Sequence, residues 1–263
     1  MTTSLVPRRD YLVPQRRSII ARSILASLAG AVPVPFLDEW VVSTILGSGY
    51  RRIATAHHVD LSREAVANLV HGTSPPPSIL DVATGGVLLR IASASAKRMM
   101  LALATINRAR SASHSFVAMT LFDHYCARLH RGLALDGPTA LALRDEIART
   151  IEHTPGALAF HPFRRGALSA ARATLRAPLE LADLASGGAL RRLLARKSEV
   201  TEAERVDELE QAMEAALASK TGFLSRAVAA IEVQLSSEAN PFLDSAISSL
   251  DRRWRARQHA EEP

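Results

Sequence analysis

Residues 26–38 read Ala-Ser-Leu-Ala-Gly-Ala-Val-Pro-Val-Pro-Phe-Leu-Asp, and this stretch decides the fold that the sequence predicts. Proline lacks the N–H that a helix interior needs, and it pushes the preceding residue towards extended geometry. Pro33 and Pro35 therefore separate two apolar helices, which we predict over residues 18–31 and 36–57. Together these segments predict an apolar helical hairpin with a rigid proline hinge.

The composition extends this prediction to the whole chain. The 263 residues are 48% hydrophobic but only 5% aromatic, and the abundant Ala, Leu and Arg are strong helix formers. Regular runs of β-branched and aromatic residues, which are typical of strands, are missing from the sequence. We therefore predict an all-α protein, a multi-helix bundle of about nine helices that begins with the hairpin. Its predicted parts are a basic N-terminal segment (1–22), an apolar helical domain (23–156) with a proline-rich linker at 72–78, and a charged helical C-terminal region (157–263).

Capping residues and apolar periodicity predict the other helices. Ser62 is predicted to cap a short helix that runs through His71, and Thr139 a helix that ends at Glu152. Asn240-Pro241 is predicted to open the last helix, since proline suits the first helical position. The remaining predicted helices cover residues 79–110, with an interruption near Gly85-Gly86, 111–130, 201–217 and 223–237, and residues 168–197 are predicted as two short helices separated at Gly187-Gly188.

Residues 23–37 carry no charge and follow a basic segment, a combination that signal peptides, membrane segments and buried helices share. Two prolines and the acidic pair Asp38-Glu39 argue against a signal peptide. The run is also shorter than the roughly 20 residues of a transmembrane helix. The hairpin can instead dip into one leaflet while arginines stay at headgroup depth. Burial of the hairpin inside a soluble domain is the alternative, because removing apolar area from water stabilises both arrangements.

The hairpin sequence resembles a group of bacterial membrane-associated helical proteins, the EcsC-like proteins and the related YcjF-like domains. Residues 26–38 match their apolar helix and proline bend, and Tyr50-Arg51-Arg52-Ile53-Ala54 with Val59-Asp60-Leu61 resembles the continuation. The likeness covers roughly residues 18–70. The chain departs from the family where Phe36-Leu37 replaces glycine and where Gly85-Gly86 replaces a second Pro-Gly bend. The resemblance implies a location at the membrane rather than an activity.

Chemistry-bearing residues cluster at one point of the chain. Asp123, Cys126 and His130 share a helix face, so they are candidates for a metal such as zinc, or for a Cys-His nucleophile. Core packing with surface histidines is the alternative interpretation, since a lone cysteine near histidines fits no zinc spacing rule. The sequence contains no Walker loop, His-Glu-x-x-His or Gly-x-Ser-x-Gly motif. We therefore predict a protein without catalysis and without a cofactor.

Charge is distributed unevenly along a chain of net charge +6. Residues 164–197 are strongly basic, whereas residues 199–214 are strongly acidic. Adjacent blocks of opposite sign predict packing against each other or a protein partner. The arginines are too scattered to predict one contiguous basic face, which argues against nucleic-acid binding.

The sequence thus predicts a peripheral or monotopic membrane-associated protein with a structural or regulatory role, in the cytoplasm at the inner face of the membrane. One alternative is a soluble helical protein-protein interaction module, and another is a metal-binding or hydrolytic enzyme around Asp123, Cys126 and His130. The predicted membrane contacts are Val34, Phe36 and Trp40 with the apolar region, and Arg16, Arg17, Arg22, Arg51 and Arg52 with anionic lipid headgroups.

Overall fold

The computed structural model describes residues 9–29, 37–74, 94–154, 156, 211, 213–215, 217–218, 223–237 and 241–261. Helices hold 85% of these residues and strands 3%, so the predicted all-α fold is confirmed. The elements, in chain order, are a 3-10 turn (Asp10–Leu12), α1 (Val13–Ala29), α2 (Leu37–Ala56), β1 (Asp60–Leu61), α3 (Arg63–His71), α4 (Ala94–Arg128), β2 (Ala134–Leu135), α5 (Gly137–His153), α6 (Phe223–Ser237) and α7 (Pro241–Glu261).

The first helix of the hairpin lies at the centre of the fold. Helix α1 packs against α2, α4 and α6, and every residue from 19 to 27 is buried. An amphipathic surface helix buries only one face, so burial on all sides marks α1 as a core helix over these residues. Its serines satisfy their own polar groups: the hydroxyls of Ser23 and Ser27 donate to the carbonyls of Ile19 and Ile24 at 2.8 and 2.7 Å.

Helix α4 differs from the prediction of two helices over residues 79–110 and 111–130. The structure has one continuous helix from Ala94 to Arg128, which crosses the predicted break between residues 110 and 111. The sequence contains neither proline nor glycine between these bounds, and serine lowers helix propensity only slightly. The predicted interruption near Gly85-Gly86 lies outside the described residues.

Two short parallel strands, β1 and β2, connect two segments of the middle part of the chain. Asp60 pairs with Ala134 and Leu61 with Leu135, so the segment after α2 lies beside the segment after α4. Ser62 then caps α3, as predicted, with its hydroxyl accepting from the Ala65 N–H at 3.0 Å. The cap of α5 is Asp136 rather than the predicted Thr139, because the Asp136 carboxylate accepts from the Thr139 N–H at 2.9 Å.

The C-terminal helices complete the same core. Helix α6 has the predicted bounds, and α7 begins at the predicted Pro241. Ile231 and Leu250 belong to one hydrophobic cluster with Ile20 and Phe122. The predicted boundary near residue 156 therefore does not separate two cores among the described residues. The basic block 164–197 and most of the acidic block 199–214 lie outside those residues.

A pair of glycines in α2 provides a test of how tightly α1 packs. An added Cβ at Gly49 would lie 2.7 Å from Arg22 Cδ and 2.9 Å from Met119 Sδ, whereas at Gly47 it would lie 3.2 Å from Val66 Cγ1. We expect Gly49→Ala to lower the free energy of unfolding by about 1–3 kcal/mol through overpacking. Gly47→Ala should change it by less than about 1 kcal/mol, because the better helix propensity of alanine offsets the closer contact. Urea unfolding of both variants measures the difference, and equal stabilities would contradict the packing described for Arg22.

Candidate functional site

The three residues predicted as a metal or nucleophile cluster have different surroundings. Asp123 is fully buried and binds His57, while His130 lies beyond the end of α4 beside Tyr125. Cys126 is buried, and burial raises the pKa of its thiol far above the ordinary value, so the nucleophilic thiolate is strongly disfavoured. Within the described ranges, no three His, Cys, Asp or Glu side chains are grouped as a metal site would require.

Asp123 forms a hydrogen bond with His57 across the core. Its Oδ1 lies 2.6 Å from His57 Nε2, and its Oδ2 has no hydrogen-bond partner among the described residues. Burial raises the pKa of Asp123, and the hydrogen bond from His57 opposes that shift. His57 reaches this position because the chain leaves α2 through a tight turn, in which His58 adopts a left-handed φ of 58°. The pair therefore links the turn after α2 to the C-terminal part of α4.

His124, the next residue of α4, connects two other parts of the fold. Its Nδ1 lies 2.6 Å from the Tyr11 hydroxyl, and its Nε2 lies 2.8 Å from Asp251 Oδ1. Arg128 covers the Tyr11 ring, with its guanidinium carbon 4.8 Å from the ring centroid. Burial lowers the pKa of His124 despite the opposing effect of Asp251. This chain of polar contacts fastens the N-terminal 3-10 turn and α7 to α4.

A cavity of about 730 Å³ lies next to these contacts. It is lined by β1, β2, the start of α5 and the part of α7 that contains Trp254 and Arg257. Its aromatic wall consists of Tyr125 and Trp254, whose rings meet edge to face with centroids 5.0 Å apart. Trp254 is only 4% exposed, and its Nε1 has no hydrogen-bond partner among the described residues. Buried N–H groups normally have partners, and this one is closed off both from solvent and from the cavity.

The rest of the cavity is mostly polar. His130 contributes a second buried nitrogen, Nε2, that has no partner among the described residues, while its Nδ1 lies 3.3 Å from the Tyr125 hydroxyl. Burial lowers the pKa of His130, so its imidazole is neutral at pH 7. Arg131, Arg257 and Asp136 also line the cavity. The hydrogen bonds from Thr139 at the start of α5 lower the pKa of Asp136.

The predicted membrane contacts have different surroundings in the structure. Val34 and Phe36 lie outside the described residues, and for Trp40 only the backbone is described, within α2. Arg22 is only 1% exposed, so the prediction that it lies at headgroups is wrong. Its guanidinium hydrogen-bonds to Ser18 Oγ. The Arg22 side chain occupies space that a Cβ at position 49 would fill, and this space is open because residue 49 is glycine.

Two other predicted headgroup arginines form ion pairs with the C-terminal part of the chain. Arg17 Nε lies 3.6 Å from Glu232 Oε2, and Arg52 contacts Glu214. Arg16 and Arg51 are half-buried. Among the described residues, none of the helices has the length and apolarity needed to cross a membrane.

The contact between His57 and Asp123 predicts the result of removing one partner. His57→Ala leaves the Asp123 carboxylate buried without its histidine, so we expect the free energy of unfolding to fall by about 3 kcal/mol at pH 7. Adding Asp123→Asn should restore part of this loss, because a neutral amide has a smaller desolvation penalty than a carboxylate. His58→Asn serves as the control, since this neighbour is exposed and asparagine tolerates its left-handed backbone. Chemical denaturation measures all three, and an Asp123→Asn addition that deepens the loss would contradict a buried charge.

The buried histidines predict a loss of stability in acid. His124 and His130 both have folded-state pKa values below the ordinary 6.5, so the unfolded chain binds more protons than the folded one as pH falls through 6.5. Their contribution to stability is full above pH 6.5 and decreases towards lower pH, by at most about 1.4 kcal/mol per pH unit for each group. Unfolding in urea at pH 7.5, 6.5 and 5.5 measures the slope.

His124→Gln removes one of these titrations, so its stability should vary less steeply with pH than that of the unmodified protein. His153→Gln changes an exposed histidine at the end of α5 and should leave the slope intact. Equal slopes for the His124→Gln variant and the unmodified protein would show that His124 does not titrate as its burial requires.

Comparisons of the whole chain with protein-family models, with curated proteins and with solved structures give no match. The resemblance of residues 18–70 to the EcsC-like and YcjF-like proteins therefore stays a prediction. Any function must be argued from the residues and contacts of this chain, of which the hairpin offers the most.

Proposed function

We propose that the protein associates with the surface of a membrane through the bend of the α1–α2 hairpin and acts there as a structural or regulatory component without catalysis. The observation that supports this proposal most directly is the uncharged, apolar sequence of the bend at residues 30–36, because the arms of the hairpin are buried in the protein. Residues 19–27 of α1 are buried, as are Ile45 and Ile53 of α2. A hairpin fixed in a core by both arms can present the residues of its bend as one unit.

The sequence of the bend supplies the apolar contact. The segment between α1 and α2 reads Gly-Ala-Val-Pro-Val-Pro-Phe from residue 30 to residue 36 and contains no charge. Apolar residues beside prolines suit shallow insertion at the boundary between headgroups and acyl chains, whereas Trp40 suits the headgroup boundary itself. The proposal assigns Val34, Phe36 and Trp40 to lipid.

Fewer arginines are available for contact with headgroups than the sequence predicts. Arg22 is buried, and Arg17 and Arg52 already contact Glu232 and Glu214 within the protein. Arg16 and Arg51 are half-buried and lie about 20 Å from the bend along their helices, at 1.5 Å per residue, so the proposal leaves them only a long-range attraction to anionic headgroups. Two arginines near an anionic surface contribute only about 1 kcal/mol each, so apolar insertion supplies most of the binding. The proposed location is the cytoplasmic face of the inner membrane, with anionic lipids as partners.

Vesicle binding tests this proposal. We expect the protein to sediment with vesicles of phosphatidylcholine and phosphatidylglycerol, and the triple variant Val34→Ser, Phe36→Ser, Trp40→Ser to retain less than about a tenth of that binding. The expected size follows from the loss of about 25 cal/mol for each Å² of apolar area removed from lipid. The apolar bend also predicts that binding decreases only a few-fold between low and high salt.

The matched control changes apolar residues elsewhere on the surface. Val13 is 52% exposed and Val233 is 68% exposed, so Val13→Ser with Val233→Ser removes apolar surface without touching the bend and should sediment with vesicles as the unmodified protein does. If the unmodified protein stays in the supernatant, or if the triple variant sediments like the control, the membrane role of the hairpin is refuted.

A further inference from the structure

The outer surface where α6 packs against α1 carries an inference that goes beyond the membrane proposal. We propose that this surface binds a second copy of the chain and forms a weak dimer, in which the two α6 helices cross antiparallel about a two-fold axis. We call it the α1–α6 surface, and it consists of the residues among 13–17 of α1 and 226–233 of α6 that are not buried. Two properties support the proposal, namely apolar residues that the fold leaves exposed and charges that complement each other when two copies meet.

The exposed face of α6 lacks the polar residues that a surface helix normally has. The opposite face is buried in the core around Ile231, whereas positions 226, 229, 230 and 233 are exposed. Their spacing of three and four residues places them on one face of the helix. They hold Arg226, Ala229, Ala230 and Val233. Most of this face is therefore apolar, although the outward face of a surface helix is normally polar or charged.

Helix α1 extends this apolar face. Val13, in its first turn, is 52% exposed, and Val233 is 68% exposed. Arg17 lies one turn after Val13, and its Nε lies 3.6 Å from Oε2 of Glu232, the neighbour of Val233. The ion pair therefore places the two valines on one surface. Within the described ranges, Leu133 is the one further large apolar side chain that is exposed, so exposed apolar residues are concentrated at the α1–α6 surface, as at interaction sites.

The charges on this surface favour a second copy of the chain over a partner of one sign. Arg226 is basic and Glu232 is acidic, and a two-fold interface brings each residue opposite its complement on both sides of the axis. Positions 226 and 233 are equally far from the midpoint between Ala229 and Ala230, about 5 Å along the helix at 1.5 Å per residue. An antiparallel crossing at that midpoint places Arg226 of each copy beside Val233 and Glu232 of the other.

This crossing provides apolar contact and two symmetric ion pairs. Alanine at the midpoint lets the helix axes approach to about 8 Å, so that Val233 packs on α6 of the other copy. Glu232 can accept Arg226 of the other copy, because its 3.6 Å contact with Arg17 is longer than a hydrogen bond.

The dimer is expected to be weak. Exposed ion pairs add little affinity, and one helix face from each copy buries less than the roughly 1,200 Å² of stable interfaces. We therefore expect a dissociation constant on the order of 10 μM, since affinity of this size is usual at the lower end of interface areas. At submicromolar protein, the vesicle-binding experiment then measures the monomer.

Sedimentation equilibrium tests the proposal. We expect monomer at submicromolar protein and mostly dimer at several hundred micromolar. Val233→Arg brings a positive charge opposite Arg226 of the other copy, so it should weaken association at least about tenfold. Leu133→Arg makes the same kind of change at a residue that is 79% exposed and lies outside the α1–α6 surface, and it should associate as the unmodified protein does.

A charge exchange tests the register of the crossing. Arg226→Glu and Glu232→Arg each place like charges opposite one another and should each weaken association about fivefold. The double variant has both changes and restores opposite charges across the axis, so it should associate more tightly than either single variant. A purely structural role of Glu232, through its contact with Arg17, does not predict this rescue.

A cysteine at the midpoint gives an independent measurement. The one native cysteine, Cys126, is buried, so an introduced cysteine is the reactive thiol. Ala230→Cys lies beside the two-fold axis and should form a disulfide-linked dimer under mild oxidation, because a disulfide needs Cα atoms within about 7 Å. Ala256→Cys, exposed on α7, is the matched control and should form far less.

Several outcomes would overturn the proposal. A monomer at every concentration would refute self-association, and equal association of the Val233→Arg and Leu133→Arg variants would show that any dimer uses another surface. A double charge variant no tighter than the single variants would refute the antiparallel register. If Val233→Arg does not fold, equal cross-linking of the Ala230→Cys and Ala256→Cys variants would refute the α1–α6 surface, and selective cross-linking of Ala230→Cys would support it.

Discussion

The structure depends on the burial of α1 on every side. A helix that is buried on every side also buries its polar side chains, and in α1 these are Arg22, Ser23 and Ser27. The serine hydroxyls turn back onto carbonyls of their own helix, and the arginine contacts Ser18 one turn earlier. Gly49 on the facing helix leaves room for the arginine side chain. The neighbours of α1 are arranged around these requirements, so α2, α4 and α6 take their positions from it.

Local signals in the sequence were sufficient to predict much of the fold. The hairpin follows from two prolines between apolar helices, the start of α3 follows from the Ser62 cap, and the start of α7 follows from a proline at a first helical position. Each of these features is determined by residues that are neighbours in the sequence, so the sequence alone was sufficient to predict it. The continuity of α4 was not predicted, because a Ser-rich stretch is compatible both with a helix and with a break, and the contacts around it decide.

The candidate site shows where sequence reasoning reaches its limit. Asp123, His124 and Tyr125 follow one another on α4, and successive helical residues point in directions about 100° apart. Each therefore meets a different partner: Asp123 meets His57, His124 meets Asp251, and Tyr125 meets the ring of Trp254. The sequence showed that chemistry-bearing residues were concentrated on this helix, but it could not show that they diverge. Partners 66 and 127 positions away leave no local pattern to detect.

The distance along the chain between α1 and its last neighbours has a consequence for biosynthesis. Arg9, just before α1, binds Asp244 of α7 although 235 positions separate them. The face of α1 that packs against α6 is covered only after residues 223–237 have been synthesised. During translation the buried helix α1 leaves the ribosome early, and α6, which packs against it, leaves much later. Contacts between such distant segments form slowly, and exposed apolar surface invites association with other chains in the meantime. Enclosure of α1 therefore waits for the synthesis of α6, and until then the face of α1 that α6 covers can contact other chains.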